Sequence, residues 1–282
     1  MSIETVGVIG SGLMGRFIAQ ATASAGVPTI LIKRTPGEHK QKEMPNLILS
    51  NKLADVDLCD LVIESIKEDL SEKQKLFQEI DPLAKSKTIF ASNTSTLSIA
   101  ELANQTRANR FLGTHFFNPP SVAKLVEVVQ TPKVDTGVVE EVQTFVRNKL
   151  GLTPLVVSNT PGFIVNRFMM NSLVYAILCL EDGLAKMEDM DQAIKLGLVH
   201  PMGPFELCDH VGLDTILSMA RILHKNLRDE RFRPPALLQR LVESQMLGRK
   251  SKLGFYDYNT KPKCPNSEVA ALINWDKRSL AY

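Results

Sequence analysis

The feature that most constrains the fold is a glycine-rich turn between a short apolar run and an amphipathic stretch near the N-terminus. Val6–Ile9 has the β-branched, apolar character of a buried strand, and Met14–Ala25 has the periodicity of a helix. The sequence Gly10-Ser11-Gly12-Leu13-Met14-Gly15 connects them directly. A strand, a tight glycine turn and a helix in this order predict a βα unit whose helix N-terminus binds phosphate.

Each glycine of this turn has a distinct physical reason. Gly10 permits the sharp change of chain direction, Gly12 lets the backbone approach a pyrophosphate, and Gly15 allows the helix to pack closely on the strand. Leu13 and Met14 lie between these glycines and belong to the same predicted site. The five residues together predict the binding of a dinucleotide cofactor.

The first half of the chain continues to alternate between strand and helix. Further strands are predicted at Thr29–Ile32, Leu61–Glu64, Thr88–Ala91, Phe111–His115, Leu125–Val129 and Leu155–Val157. Further helices are predicted at Leu70–Ile80, Ile99–Asn104 and Gly137–Leu150. Because such alternation builds a parallel sheet covered on both faces, residues 1–158 are predicted to form an α/β dinucleotide-binding domain with a mainly parallel sheet.

Residues 159–282 have a different pattern. A turn-rich junction at Ser158–Gly162 is followed by helical periodicity that continues to Phe255. The stretch Phe163–Leu180 is apolar on almost every face of a helix, and such a helix requires burial on every face. In a small helical domain, a second subunit is the simplest source of that burial. The sequence therefore predicts an all-α dimerisation domain and a homodimer, with the core of a monomer as the alternative.

Composition excludes several classes of protein. Of the 282 residues, 44% are hydrophobic and 23% are charged, as in globular proteins and unlike disordered chains. A formal charge of +2 without a basic block argues against nucleic acid or an anionic membrane as a partner. The four cysteines lie far apart and predict neither a metal site nor a disulfide framework. With no signal peptide or membrane-spanning stretch in the sequence, we expect a soluble cytoplasmic protein.

Polar side chains follow two neighbouring strands, at the edge where ligand sites of α/β proteins lie. Ser95 comes shortly after the fourth predicted strand, and His115 ends the fifth. Histidine suits a general base because its imidazole exchanges a proton near neutral pH. If residues 118–122 reverse the chain, the next strand returns beside the fifth and brings Glu127 close to His115. A carboxylate there would hold one ring nitrogen while the other accepts a proton.

The end of the second strand bears on the choice between NAD and NADP. An acid at this point would bind the adenosine ribose hydroxyls of NAD, but the strand runs into Lys33 and Arg34, and the next acid is Glu38. Two cations suit the 2′-phosphate of NADP, which a carboxylate would repel. The sequence therefore favours NADP over NAD, and the choice stays open if both side chains are merely solvated.

Further motifs follow the glycine turn in a characteristic order. They are Ala91-Ser92-Asn93-Thr94-Ser95, His115-Phe116-Phe117-Asn118-Pro119, Lys124-Leu125-Val126-Glu127-Val128, Pro161-Gly162-Phe163-Ile164-Val165-Asn166-Arg167, Pro201-Met202-Gly203-Pro204-Phe205-Glu206-Leu207 and Gly254-Phe255-Tyr256-Asp257-Tyr258. Taken together, these motifs resemble the short-chain L-3-hydroxyacyl-CoA dehydrogenase family, particularly its 3-hydroxybutyryl-CoA dehydrogenases. The resemblance covers nearly the whole chain.

This resemblance implies a Rossmann domain followed by a helical dimerisation domain. It implies an oxidoreductase of fatty acid metabolism that interconverts 3-hydroxyacyl and 3-oxoacyl thioesters by hydride transfer with NAD or NADP. In the implied mechanism His115 removes the 3-hydroxyl proton and Glu127 supports it, while Ser95 and Asn166 hydrogen-bond the reacting oxygen and position the substrate. Contacts to the cofactor are implied for four further residues: Ser65, Glu68, Lys73 and Asn118.

The chain departs from the family at three places. Lys33 stands where the family has an acid, and Lys252-Leu253 stands where it usually has Gly-Lys. Between Arg34 and Asp60 the chain is shorter than the family, which has there a helical hairpin that helps to hold the adenine end of CoA. The shortening suggests an alternative to free CoA, in which a carrier protein delivers the acyl group.

Two further alternatives belong to other classes. A β-hydroxyacid dehydrogenase acting on free acids also joins a Rossmann domain to a helical domain, but that class resembles proteins with a lysine as base. A non-catalytic nucleotide-binding protein would be expected to lose the polar residues of the site. Ser95, His115, Glu127 and Asn166 are all present, which favours the thioester dehydrogenase.

Overall fold

The chain divides into two units, Met1–Ile164 and Val165–Tyr282. The computed structural model describes residues 2–33, 44–117 and 123–273. Two residues of the predicted site, Arg34 and Asn118, lie outside this range. Among the helices of the described residues, none has both the length and the apolar character needed to cross a bilayer.

The described residues of the first unit form one sheet of eight strands. In chain order they are β1 (Val6–Ile9), β2 (Thr29–Ile32), β3 (Leu47–Ser50), β4 (Leu61–Glu64), β5 (Ile89–Ser92), β6 (Phe111–Phe116), β7 (Leu125–Gln130) and β8 (Thr153–Ser158). Their order across the sheet is β3-β2-β1-β4-β5-β6-β7-β8. Neighbouring strands are parallel except for β6 and β7, which confirms the predicted mainly parallel sheet.

Helices and apolar side chains cover both faces of this sheet. The helices are α1 (Leu13–Ser24), α2 (Leu70–Ile80), α3 (Ile99–Ala103) and α4 (Thr136–Asn148), with short 3-10 turns at Leu53–Leu58 and Ala108–Arg110. Along β4, Ile63 packs in the apolar cluster on the α1 and α4 side, whereas Val62 packs in the cluster on the α2 side. Because both faces are buried, the strands are continuously apolar, and the loops at their carboxyl ends are left to carry polar groups.

Strand β3 is an addition to the strands predicted from the sequence. Its apolar run is three residues long and follows Asn46, which adopts a left-handed conformation with φ of 62°. β3 pairs parallel with β2 at the edge of the sheet, where Ile48 is 62% exposed. Hydrogen bonds to β2 stabilise this strand, and such pairing is not visible in so short a pattern.

Within residues 165–273, which the structure describes, the second unit is helical apart from one small hairpin. Its helices are α5 (Val165–Glu181), α6 (Met187–Gly197), α7 (Pro204–Val211), α8 (Leu213–Leu227), α9 (Ala236–Glu243) and α10 (Ser267–Leu272), with a 3-10 turn at Glu230–Phe232. The hairpin pairs β9 (Tyr256–Asp257) with β10 (Cys264–Pro265) in antiparallel fashion. This hairpin is the exception to the all-helical prediction.

Helix α5 buries one face within its own unit and leaves another exposed. The helix begins at Val165, since Phe163 has a left-handed φ of 45° that a helix does not allow. Met170 and Ile177 are fully buried, whereas Phe168 is 75% exposed and Tyr175 is 67% exposed. The second unit by itself therefore does not provide the all-round burial that the apolar pattern of this stretch predicts.

Candidate active site

The glycine turn has the geometry of a pyrophosphate cradle. Gly10 has a φ of +115°, and a Cβ added to it would overlap the backbone carbonyl of Ser65. A Cβ on Gly15 would overlap the backbone oxygen of Gly10, whereas one on Gly12 would meet nothing within 4 Å. Gly12 is the N-cap of α1, and no side chain caps the helix there and no acid lies in its first turn. An anionic diphosphate therefore fits the space beside Gly12 and the N–H groups of α1.

Four other predicted cofactor residues lie in this turn or at the ends of β2 and β4, the strands that pair with β1. Leu13, which is 55% exposed, and Met14 begin α1. Ser65 follows β4, donates its backbone N–H to Ile9 at 2.8 Å, and its Oγ accepts from Asn93 Nδ2 at 3.3 Å. Lys33 follows β2 at the same edge of the sheet and is partly buried.

The antiparallel pairing of β6 and β7 brings a histidine and a glutamate together. In its register His115 lies directly opposite Glu127, and His115 Nδ1 is 2.8 Å from Glu127 Oε2. His115 is 5% exposed and Glu127 is fully buried. Because a carboxylate only accepts, its hydrogen bond with Nδ1 places a ring proton on Nδ1, and in the neutral imidazole Nε2 is then the acceptor.

The remaining contacts fix both ends of this pair. Ser95 Oγ lies 3.2 Å from His115 Nε2, and Glu127 Oε1 accepts the backbone N–H of Ile164 at 2.9 Å. The imidazole ring packs edge-on against Phe117 and is tilted against Phe163, with ring centroids 4.5 Å and 5.7 Å away. A serine hydroxyl, an imidazole and a carboxylate thus form one hydrogen-bonded line.

Glu68 organises the loop that carries Ser95. Its Oε1 accepts from Thr94 Oγ1 at 2.6 Å and from the backbone N–H groups of Ser95 and Thr96 at 3.0 and 3.2 Å. Burial by itself raises the pKa of Glu68, but the charge of Lys73 and these hydrogen bonds outweigh it and hold the pKa below its ordinary value. Glu68 is therefore an ionised acceptor for the loop at neutral pH.

Lys73 is enclosed in the protein, whereas the resemblance to the family implies a contact with the cofactor. The residue is 1% exposed, and its Nζ lies 2.6 Å from Glu64 Oε1, 3.3 Å from Glu68 Oε2 and 3.4 Å from the backbone oxygen of Ile66. Glu64 is fully buried and also accepts from Ser92 Oγ at 2.6 Å.

Sequence reasoning missed Glu64, although a signal was present. An acid that ends a buried parallel strand needs a partner, since an unpaired buried carboxylate is costly. Lys73 provides the complementary signal, because it falls on the buried stripe of α2 with Leu76, Phe77 and Ile80. A charged residue at such a position predicts an internal ion pair.

The first unit therefore brings together four of the predicted residues, Ser95, His115, Glu127 and Glu68. Asn166 belongs to the second unit, where it lies in the first turn of α5 and is partly buried.

Comparison with known families matches both parts of the chain. The family described as 3-hydroxyacyl-CoA dehydrogenase, NAD binding domain, matches residues 5–44 and 33–160. The C-terminal domain of the same family matches residues 162–258. Use of a nicotinamide dinucleotide follows from the first match and agrees with the cradle around Gly12.

Individual relatives are similar over most of their length. A 3-hydroxybutyryl-CoA dehydrogenase of Bradyrhizobium diazoefficiens is 39% identical, with 93% of this chain and 98% of the relative covered. The mitochondrial hydroxyacyl-coenzyme A dehydrogenase of Rattus norvegicus is 40% identical, with 91% of each covered.

A solved structure is similar in fold. The (S)-3-hydroxybutyryl-CoA dehydrogenase of Ralstonia eutropha superposes with a TM-score of 0.86 at 35% identity, covering 92% of this chain and 100% of that one. Since both domains and whole-length relatives agree with the resemblance of the motifs, the chain belongs to the 3-hydroxyacyl-CoA dehydrogenase family.

Proposed function

We propose that the chain interconverts 3-hydroxyacyl-CoA and 3-oxoacyl-CoA thioesters, with His115 as the group that takes up and returns the proton. The observation that carries this proposal is the line of Ser95, His115 and Glu127. In it the basic nitrogen of a buried imidazole faces a serine hydroxyl, and a carboxylate fixes the other nitrogen.

Proton transfer follows from the tautomer that Glu127 imposes. In the oxidation direction His115 Nε2 accepts the proton of the 3-hydroxyl group, and the imidazolium that forms is stabilised by the Glu127 carboxylate 2.8 Å away. A nicotinamide dinucleotide held by the turn around Gly12 would supply the hydride chemistry at C3. In the reduction direction Nε2 returns the proton to the 3-oxo oxygen.

The polar groups near the base hold the reacting oxygen. Ser95 Oγ, already 3.2 Å from His115 Nε2, is placed to hydrogen-bond the same oxygen that exchanges the proton. We assign Asn166 a second hydrogen bond to the substrate. We assign Ser65, Glu68 and Asn118 to the ribose and nicotinamide side of the cofactor; Lys73 acts there through Glu68 because it is itself enclosed.

Substitution of His115 tests the assigned base. His115→Ala should lower kcat for acetoacetyl-CoA reduction by about 100-fold or more, since general acid–base catalysis contributes about that much. Cofactor binding, measured by nucleotide fluorescence, should persist. Near-normal kcat in this variant would overturn the role of His115. If the unmodified enzyme turns over free 3-hydroxy acids, the β-hydroxyacid dehydrogenase alternative is favoured. If it turns over neither these acids nor the thioester, the non-catalytic alternative is favoured.

We propose a preference for NADP on the basis of Lys33 and Arg34. Lys33 directly follows β2, where a side chain meets the adenosine ribose in dinucleotide-binding folds. The kcat/KM for NADPH should exceed that for NADH. Lys33→Asp should shift this ratio toward NADH by about ten-fold or more, the value of one charge-assisted hydrogen bond. A ratio that favours NADH in the unmodified enzyme would contradict the preference.

The form in which the acyl group arrives is a separate question. The alignment with the Bradyrhizobium enzyme extends over 288 positions yet covers 93% of this 282-residue chain, so it includes positions where this chain has no residue. The family match consists of two pieces that overlap at residues 33–44, within the segment that is shorter than expected. Rates on acetoacetyl-CoA and on an acetoacetyl-carrier protein distinguish the two donors. A higher kcat/KM on the carrier would favour the carrier-protein alternative.

We propose that the exposed face of α5 is covered by a second copy of the chain. Phe168, Tyr175 and Leu178 lie on one side of the helix, and large apolar side chains of this kind mark interfaces. Light scattering should show a dimer at micromolar concentration, and Phe168→Ser should shift it toward monomer. A monomeric unmodified protein would overturn the homodimer.

We also propose a reducing compartment such as the cytoplasm. All four cysteines are free, and Cys59 and Cys208 are buried. Burial raises the pKa of the Cys59 thiol to about 12, so the reactive thiolate is suppressed there. Titration of the freshly purified, denatured protein should find four free thiols. Fewer would indicate disulfides and an oxidising environment.

A further inference from the structure

A fully buried ion pair is connected through Glu68 to the loop that carries Ser95. Glu64 ends β4, Lys73 lies on α2, and their Oε1 and Nζ atoms are 2.6 Å apart. The ammonium has three acceptors, namely Glu64, Glu68 and the backbone oxygen of Ile66. Glu64 in turn accepts from the backbone N–H of Ile66 and from Ser92 Oγ, each at 2.6 Å.

Stability alone is a weak reason for such a pair. Removing two charges from water costs several kcal/mol for each ion, and apolar side chains of similar volume often stabilise a fold at least as well. A buried pair with all its hydrogen bonds made does, however, fix the positions of the groups around it.

Both ends of one short segment are attached to Glu64. Ser92, the last residue of β5, donates directly to Glu64 Oε2. Three residues later, the backbone N–H groups of Ser95 and Thr96 donate to Glu68, whose other oxygen is paired with Lys73 and through it with Glu64. The segment from Ser92 to Thr96 is therefore held by one buried network, and it presents Ser95 Oγ 3.2 Å from His115 Nε2.

We propose that Glu64 is a positioning residue for catalysis, which acts through Lys73, Glu68 and Ser92 to hold the Ser95 hydroxyl in line with His115. This inference rests on the proposed function of Ser95 and His115, and it assigns Glu64 no contact with substrate or cofactor. Loss of the Glu64 charge should therefore move the Ser95 hydroxyl without removing it. The result would be a lower kcat at a nearly unchanged KM for the thioester.

A double-mutant cycle tests this relation. Glu64→Gln should lower kcat for acetoacetyl-CoA reduction by about ten-fold or more, because a misplacement of about 1 Å can cost about 100-fold in rate. In the Ser95→Ala background the same change should cost less than about two-fold, since the group it positions is already gone. If the two losses multiply, Glu64 does not act through Ser95 and the proposal is overturned.

Controls separate positioning from general damage. Glu72→Gln removes an exposed acid from the first turn of α2, the helix that carries Lys73, and should leave kcat and the thermal unfolding temperature unchanged. Glu64→Gln should lower the unfolding temperature equally in both backgrounds, whereas its effect on kcat should depend on Ser95. A purely structural role would lower stability and leave kcat normal well below the unfolding temperature, which would also overturn the proposal.

Ser92→Ala provides a second test of the positioning role of Glu64. If Glu64→Gln does not fold, Ser92→Ala serves as the test, because it removes only the hydroxyl that donates to Glu64 Oε2. Ser92→Ala should lower kcat, and this loss should likewise vanish in the Ser95→Ala background. Normal kcat in Ser92→Ala, or a loss that persists without Ser95, would then overturn the proposal. Failure of the proposed function is recognised separately, by the absence of acetoacetyl-CoA turnover in the unmodified enzyme or by full activity of His115→Ala.

Discussion

Acidic side chains organise both units of the protein, and the two sets are held in opposite ways. In the first unit Glu68 is paired with Lys73, and this charge together with hydrogen bonds from the loop keeps the pKa of Glu68 below its ordinary value. In the second unit Asp209 accepts from the backbone N–H groups of Phe255 and Tyr256, both at 2.9 Å, and from Tyr258. There burial outweighs the hydrogen bonds and raises the pKa of Asp209 to about 6.

The difference reflects what each carboxylate holds. Asp209 lies on α7 and fastens the start of β9 to it, and Asp191 on α6 accepts from the backbone N–H groups of Phe205 and Glu206 at the start of α7. These bonds join helices and a hairpin through the backbone. The acids of the first unit instead hold polar side chains and a loop beside His115, and there the charge of Lys73 and the hydrogen bonds of the loop hold the pKa of Glu68 below its ordinary value. A buried cation therefore marks the cluster next to the proposed chemistry.

The largest expected effect comes from removing that cation. Lys73→Met leaves Glu64 buried without its ammonium and should lower the free energy of unfolding by about 3–5 kcal/mol. Urea denaturation followed by circular dichroism measures the loss. The double variant with Glu64→Gln removes both charges and should recover at least half of it. A loss below about 1 kcal/mol in Lys73→Met would show that the fold does not need the ammonium to hold Glu64. The acids around Lys73 and the acid Asp209 would then no longer differ in how they are held.

The raised pKa of Asp209 in the second unit should make the stability of the protein depend on pH. The pKa of Asp209 is raised from 3.8 to about 6, so the folded protein retains a proton that the unfolded chain releases between these values. Wild-type stability should therefore fall as pH rises from about 4 to 6, by about 2–3 kcal/mol from this group. Asp209→Asn cannot titrate and lacks this contribution. Urea denaturation of both proteins from pH 4 to 7 should give a stability difference that changes by that amount; a constant difference would contradict the prediction.

A smaller effect tests how tightly Asp209 is packed. A Cβ on Gly254 would overlap Asp209 Oδ1 and lie 2.6 Å from Gly248 Cα. Gly254→Ala should therefore displace the carboxylate and cost about 1–3 kcal/mol of stability, as other overpacked sites do. Gly197→Ala is the matched control, since a Cβ there would meet nothing within 4 Å. Gly254→Ala should unfold at a clearly lower temperature than Gly197→Ala. Equal unfolding temperatures would mean that the surroundings of Asp209 accommodate the added methyl group without loss of stability.

The smallest predicted change is a gain in stability in the loop before β9. Lys252 has a left-handed φ of 62°, in the position where the resemblance to the family predicts glycine. Lys252→Gly should raise the free energy of unfolding by about 0.5–1 kcal/mol, because glycine adopts this conformation without a Cβ clash. Differential scanning calorimetry against wild type measures the shift. A lower unfolding temperature would instead show that the Lys252 side chain contributes more than its backbone conformation costs.

Local patterns were sufficient for much of the fold. The strand, glycine turn and helix around Gly10 follow from residue type, as does the helical character of the second half. The approach of Glu127 to His115 was also predictable, since a short connection between two strands fixes their register. Strand β3 was not, because its pairing with β2 joins segments whose sequence carries little periodicity.

The sequence by itself determined the type of fold, the dinucleotide turn and the identity of the polar residues at the strand ends, because these depend on local backbone preferences and on apolar periodicity. Only the tertiary structure decided which charges meet. It enclosed Lys73 between Glu64 and Glu68, and it left Asp209 among backbone N–H groups. Burial and the partners brought together across the fold set the charge state of an acid, and neither can be read from the residue alone.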